Sequence, residues 1–239
     1  MSVSSLASHL LGAETCVCCG AATADVPLCA ECLSERVMKY TPFSEARCRL
    51  CGRELVSEQG VCVECARRPC LRHVRRLFPI HAYRMWKKDL LFLWKMQDRR
   101  LLSPVFSRLA ADAISSVPEL RGLPLVPVPP RPGKIKSRGW DQVQELCRLL
   151  RRRHGLAVLD ILRRRTAEQQ KHLDRGRRQA FAEQSYFLAE GFRKRFPAAP
   201  KKLVLVDDIA TTGATLDSCA GVLRSAGVEQ VYALALFYA

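Results

Sequence analysis

Several of the usual signatures of chemistry are missing from this 239-residue chain. No apolar run approaches the ~20 residues a membrane-spanning helix needs. The N-terminal stretch MSVSSLASHLLGAET has no basic region, and its apolar core is too short for a secretory signal, so a cytoplasmic protein is expected. There is no GxxxxGK[ST] phosphate loop and no GxGxxG dinucleotide fingerprint. The acids of VLVDDIATTGAT are adjacent and do not form the D-x-D of many phosphotransferases. No His or Glu stands out as a general base. Acidic residues are scarce, 23 against 39 basic ones.

That shortage is unevenly distributed. Residues 1–65 hold five of the basic and eight of the acidic residues, a net of −3, so the remainder holds 34 and 15, a net of +19. An acidic head precedes a strongly basic body, and such a body favours polyanions such as nucleic acid or a phosphorylated small molecule. The competing reading is a solvated basic face. A hydrophobic content of 48% is enough for a core and excludes global disorder.

The head is rich in cysteine. Four CxxC pairs are present: Cys16/Cys19, Cys29/Cys32, Cys48/Cys51 and Cys62/Cys65. Each puts two thiolates on one tight turn, as a tetrahedral metal knuckle requires. Nine residues separate the first two pairs, ten the last two and fifteen the middle two. The spacing favours two successive four-cysteine zinc sites, with an interleaved pairing as the alternative. Redox or iron–sulfur roles compete with zinc, which is preferred because all-thiolate tetrahedral sites are its usual structural home. Cys18 within CVCC leaves the register of the first pair open, and Cys70, Cys147 and Cys219 belong to no pair. Four protein ligands leave no open position, so the zincs are structural. Each site carries a net −2, which brings the head to roughly −7 and points to a docking or structural role rather than nucleic-acid binding.

From residue 71 the pattern changes. Two helices are expected through MWKKDLLFLWKMQ and RRLLSPVFSRLAADAISSV. LPLVPVP reads as a strand, and RGWDQVQELCRLLRRRHG as a helix capped by Gly155. LAVLDIL, KKLVLV and VYALALFY are further strands, with a helix ending at Gly227 before the last. This alternation predicts an α/β domain with a mostly parallel sheet, residues 71–239, behind a small domain over 1–70. Ligands of such sheets sit beyond the carboxyl ends of the strands.

VLVDDIATTGAT lies at such an end. A turn of small residues before a helix makes an anion cradle of backbone N–H groups, and Gly213 lets the chain approach closely. Carboxylates accept hydrogen bonds from vicinal hydroxyls. A ribose 5-phosphate fits, with its phosphate in the Thr/Gly loop and its hydroxyls on Asp207 and Asp208.

Val204–Thr215 resembles the phosphoribosyl pyrophosphate (PRPP) motif of type I phosphoribosyltransferases, two acids followed by Thr-Thr-Gly. With LVPVP, SRGWDQ, LRRRTAEQQKHLDRGRR and the cysteine-rich head, the chain resembles the ComF family, which joins a double zinc ribbon to a phosphoribosyltransferase domain. The family usually has Asn where this chain has Asp141, and Asn where it has Ala180; both departures lie outside the PRPP loop. The resemblance implies a type I phosphoribosyltransferase fold and Mg²⁺ bridging pyrophosphate and ribose. It implies that Asp207 and Asp208 hold the ribose beside an oxocarbenium-like transition state, and that Ala210, Thr211, Thr212, Gly213, Ala214 and Thr215 hold the 5′-phosphate. Arg131, Lys95 and Arg138 are candidates for the pyrophosphate, and Arg163–Arg178 resembles the family's mobile loop. A phosphoribosyltransferase linked to DNA uptake, with a helicase or recombination mediator as partner, is one implied function. The other is a non-catalytic single-stranded-DNA-binding protein, with Trp140 or Phe181 stacking on bases.

Overall fold

The computed structural model describes residues 14–24, 26–67, 71–165 and 185–239. Cys70, the boundary expected at residue 70, residues 166–178 of the basic stretch Arg163–Arg178, Ala180 and Phe181 lie outside the described residues. None of the described helices is long and apolar enough to cross a membrane.

The body is built on four parallel strands: β3 (Val74–Ala82), β4 (Leu125–Pro127), β7 (Lys202–Ala210) and β8 (Gln230–Tyr238), ordered β3-β8-β7-β4. The central strands β7 and β8 are near-continuous apolar runs because both faces of the sheet are covered. Side chains alternate along β7. Val204 and Val206 enter one core with α3 (Trp86–Met96), α4 (Leu102–Ser116) and α6 (Gln142–His154), whereas Leu203 and Leu205 enter the other with α8 (Ala214–Ser225). The α/β class and the mostly parallel sheet are those expected.

Two elements differ from expectation. LAVLDIL does not run as a full strand. Val158 makes a single parallel bridge to Leu125, and the chain then forms β5 (Leu162–Arg164), which pairs antiparallel with β6 (Tyr186–Leu188) in a separate ribbon. Asp160 interrupts the apolar run there and pairs with Arg163 instead. The nine-residue β3 was not legible, because VRRLFPIHA carries two arginines and a proline. Proline is tolerated because β3 is an edge strand.

The head covers that edge. It contains β1 (Glu14–Thr15) and β2 (Ala22–Thr23), then α1 (Ala30–Cys32), which runs into a wider turn over Leu33–Val37, and finally α2 (Val63–Arg67). The Leu77 amide donates to the Leu50 carbonyl at 2.8 Å. The Arg47 guanidinium is 1% exposed and donates to the carbonyls of Thr41, Gly52 and Pro79 at 2.8, 3.0 and 2.8 Å. His81 is buried too, and burial with nearby Lys87 pushes it down to about 4. It is therefore neutral and donates Nε2–H to the Val37 carbonyl at 2.8 Å. Cys16, Leu28, Cys32 and Val37 join the α3/α4 core, so head and body share apolar contacts.

Each cluster opens with a CxxCG turn. Gly20 and Gly52 have φ of +77° and +70°, and their amides donate to the carbonyls of Cys16 and Cys48. Only Gly52 is also confined: a Cβ there would sit 2.2 Å from Pro79 Cδ and 2.5 Å from the Leu77 carbonyl, whereas nothing lies within 4 Å at Gly20. Gly20→Ala is expected to cost about 1 kcal/mol, the left-handed backbone penalty alone. Gly52→Ala should cost clearly more, because head and β3 must separate. Paired urea unfolding curves check the difference, and equal losses would refute the docking role of Gly52.

Candidate functional site

The eight paired cysteines form two clusters, Cys16/Cys19/Cys29/Cys32 and Cys48/Cys51/Cys62/Cys65, each with its Sγ atoms within 4.8 Å of one another. The pairing is successive, not interleaved. Tetrahedral zinc with sulfurs at about 2.3 Å holds them about 3.8 Å apart. Cys19–Cys29 and Cys51–Cys62, both at 3.7 Å, match that spacing. Cys18 stays outside the first cluster; burial and neighbouring Cys16 push its thiol up to about 12. Burial also works against ionisation of Cys16 and Cys48, yet backbone N–H groups outweigh it and bring them down to about 6 and about 7. Four converging sulfurs, with amides that favour the thiolate at Cys16 and at Cys48, suit zinc at both clusters.

The second site lies at the carboxyl end of β7. Asp207 and Asp208 are both buried, at 9% and 4% exposure. Successive strand residues project to opposite faces, so the two carboxylates diverge. Asp208 points to the helical side and is satisfied there. Its Oδ2 meets Lys95 Nζ at 2.7 Å and Gln142 Nε2 at 2.6 Å, and its Oδ1 accepts from the Ile209 amide at 2.7 Å. Asp207 lies on the α8 side, where its charge is felt by buried Cys219 and Tyr186. It accepts from the Asp208 amide at 2.8 Å. Burial and the Asp208 charge hold its carboxyl well above the usual carboxylate range. Asp208 is paired with a lysine, whereas Asp207 has no ion pair among the described residues.

The string RGWDQ organises the first acid. α5 (Lys134–Arg138) precedes it, and Arg138 pairs with Asp98. Trp140 Nε1 donates to Asp98 Oδ1 at 2.6 Å. Asp98 has φ +56°, a left-handed conformation that Asp tolerates better than most residues. Asp141 caps α6, accepting from the amides of Val143 and Gln144 at 3.0 Å, and meets Lys134 Nζ at 2.6 Å. Lys134 also bonds Gln142, whose amide then reaches Asp208. Lys134, Gln142 and Asp98 were not singled out from sequence; their signal was position beside a quoted motif.

Other expected residues divide. Thr211 and Thr212 form the exposed turn after β7, and buried Gly213, φ +77°, leads into α8. Thr212 Oγ1 accepts from the Ala214 amide at 3.3 Å. Thr215 is exposed on the first turn of α8, next to Tyr186, and Ala210 is buried at the strand end. Arg131 is exposed in the loop after β4, beside β7. Lys95 is on the acid pair, while Arg138 is committed to Asp98. Trp140 is 6% exposed with the guanidinium groups of Arg100 and Arg138 over its ring, 4.9 and 5.4 Å from its centroid, so it is not a surface for base stacking.

Two outcomes follow. Replacing Cys48 and Cys51 with Ser should lower zinc from two per chain to one by elemental analysis; unchanged content would refute the second site. Because folding raises the Asp207 pKa above its ordinary 3.8, the charged form opposes folding once pH exceeds that value. Asp207→Asn should therefore raise Tm at pH 7, with the gain shrinking as pH falls toward 4. A gain that persists unchanged at low pH would contradict the assignment.

No family model matches the chain. Over 157 residues it is 29% identical to Competence protein ComFC of Streptococcus pneumoniae (strain ATCC BAA-255 / R6), covering 66% of each chain and so just under two thirds of that relative. Over 202 residues it is 27% identical to DNA utilization protein YhgH of Salmonella typhi, covering 77% of this chain and 86% of that one. With two four-cysteine clusters set against a parallel α/β sheet, these likenesses support the resemblance to the ComF family.

Proposed function

We propose that the protein binds a ribose 5-phosphate ligand, PRPP foremost, at the carboxyl end of β7, and does so in the handling of DNA taken up by the cell. One observation carries this reading: a buried strand delivers two diverging carboxylates straight into a Thr-Thr-Gly turn at a helix N-terminus. The turn amides receive the 5′-phosphate. Asp207, the acid not already paired with a lysine, accepts from the ribose hydroxyls and favours positive charge developing on the sugar. Asp208, fixed by Lys95 and Gln142, supplies the second acceptor. Asp207, buried beside a second carboxylate, also suits a divalent cation nearby, and Mg²⁺ when bound would neutralise the pyrophosphate leaving group. Arg131 in the adjacent loop is the free candidate for that pyrophosphate. Transfer of the phosphoribosyl group is the reaction such a site supports.

The DNA link rests on the relatives, one called a competence protein and the other a DNA utilization protein. A net +19 beyond residue 65 favours a second reading, direct binding of single-stranded DNA in the cytoplasm without turnover. Calorimetric titration of zinc-loaded protein with PRPP, with and without Mg²⁺, separates the two. Mg²⁺-dependent binding lost in Asp207→Ala supports the ribose site. Retained affinity in Asp207→Ala sinks it. DNA binding that weakens steeply with salt and ignores Asp207→Ala favours the second reading.

A further inference from the structure

The Thr-Thr-Gly turn offers backbone amides and hydroxyls to a 5′-phosphate, and its own sequence holds no cation. A phosphate monoester carries about −1.5 to −2 charge at pH 7. The surroundings give it little positive field. In the adjoining cleft of about 1360 Å³, Arg53, Arg72, Arg165 and Arg193 of α7 (Phe192–Arg195) are offset by Glu64, Asp217 and the net −2 of a zinc-loaded cluster, whose Cys51, Cys62 and Cys65 line the wall. Asp207 lies behind the turn at the end of β7. A phosphate placed there calls for a dedicated cation.

The β5–β6 ribbon carries one. Its inner face packs on α8, where Leu162 and Tyr186 share a buried cluster with Leu216, Cys219 and Ala220. Strand alternation puts Arg164 on the same face as Leu162, and the antiparallel register sets it directly opposite Tyr186. Tyr186 is 5% exposed and lies beside the Thr215 side chain. The Arg164 guanidinium is over the Tyr186 ring, 5.4 Å from its centroid. Its charge is felt at buried Cys219, one turn along α8 from Thr215, and so is that of Asp207. A guanidinium lying over a ring keeps its fork of N–H donors for another partner. Among the described residues, that fork makes no hydrogen bond and no ion pair. The flanking arginines are on the other face of the ribbon: Arg163 pairs with Asp160, and Arg165 lies over the Phe187 ring.

We infer that Arg164 is the cation of the 5′-phosphate site, donating to phosphate oxygens that the turn amides leave unpaired and so selecting a phosphorylated ribose over ribose itself. The inference rests on the ribose-phosphate reading above. It separates Arg164 from the pyrophosphate, for which Arg131 and Lys95 are the candidates, and gives the ribbon a direct part in recognition.

The test is calorimetric titration of the zinc-loaded full chain, with Mg²⁺ at fixed ionic strength, using ribose 5-phosphate and PRPP as probes. Arg164→Gln should weaken both by the same factor, about tenfold or more, because the 5′-phosphate is common to them. Arg164→Lys keeps the charge without the fork, and should recover part of that loss while staying about threefold or more below wild type. Arg193→Ala, from the cleft wall, should leave ribose 5-phosphate within about twofold of wild type. Unchanged affinity for ribose 5-phosphate in Arg164→Gln overturns the inference and leaves the ribose-phosphate reading standing. A loss confined to PRPP also overturns it, since that would assign Arg164 to the pyrophosphate. Should Arg164→Gln fail to fold, Arg164→Lys decides: an equal loss on both probes supports the inference, and wild-type affinity for ribose 5-phosphate overturns it. If the wild-type protein binds neither probe, the ribose-phosphate reading itself fails, and the inference falls with it.

Discussion

Two carboxylates side by side at the end of a buried strand set the central constraint on this protein. In one plane they would repel, and burial would magnify the repulsion. The strand's two-residue period resolves this by sending them to opposite faces. Each face then needs its own environment. On one side a lysine from α3 and a glutamine from α6 must converge on Asp208, which fixes where those helices end and begin. On the other, Asp207 lies against α8 without an ion pair among the described residues. Asp98, Trp140, Asp141 and Lys134 are best understood as the framework that holds Gln142 and Lys95 in place.

Asp207 is set apart from the core around it. Its charge is disfavoured where it sits, and the chain keeps it. A buried acid whose charge is disfavoured, at a strand terminus facing a turn of exposed threonines, is what the proposed ligand site requires. Asp208 shows the opposite condition, a buried charge fully accounted for within the fold.

Much of this was readable from sequence because it is local. The knuckles follow from CxxC spacing. β7 follows from KLVLV, and α6 from Asp141 before an amphipathic run that stops at Gly155. What escaped depends on distant partners. β3 hides behind its arginines and proline, since an edge strand need not alternate cleanly. LAVLDIL looked like a strand, but Asp160 and the ribbon pairing of Leu162 limited it to one bridge. Arg138 and Trp140 read as ligand-facing in sequence, yet both are turned to Asp98, 40 and 42 positions away, which no local pattern could reveal. Arg47 is the plainest case: an ordinary basic residue in the sequence, it is one of the most deeply buried side chains in the protein.

Arg47 and Gly52 also bear on how the protein fails. An exposed edge strand is a template for pairing with other chains. Here the outer edge of β3 is occupied by the head: Leu50 accepts its amide hydrogen bond, and Arg47 occupies its carbonyls. With zinc in its two four-cysteine clusters, that head would depend on the metal to fold. Zinc in the second knuckle would thus act at a distance as a guard on solubility, because stripping it would uncover a nine-residue strand edge bearing Leu77, Phe78 and Ile80. Under zinc limitation, the protein would be lost first to self-association rather than to a damaged binding site.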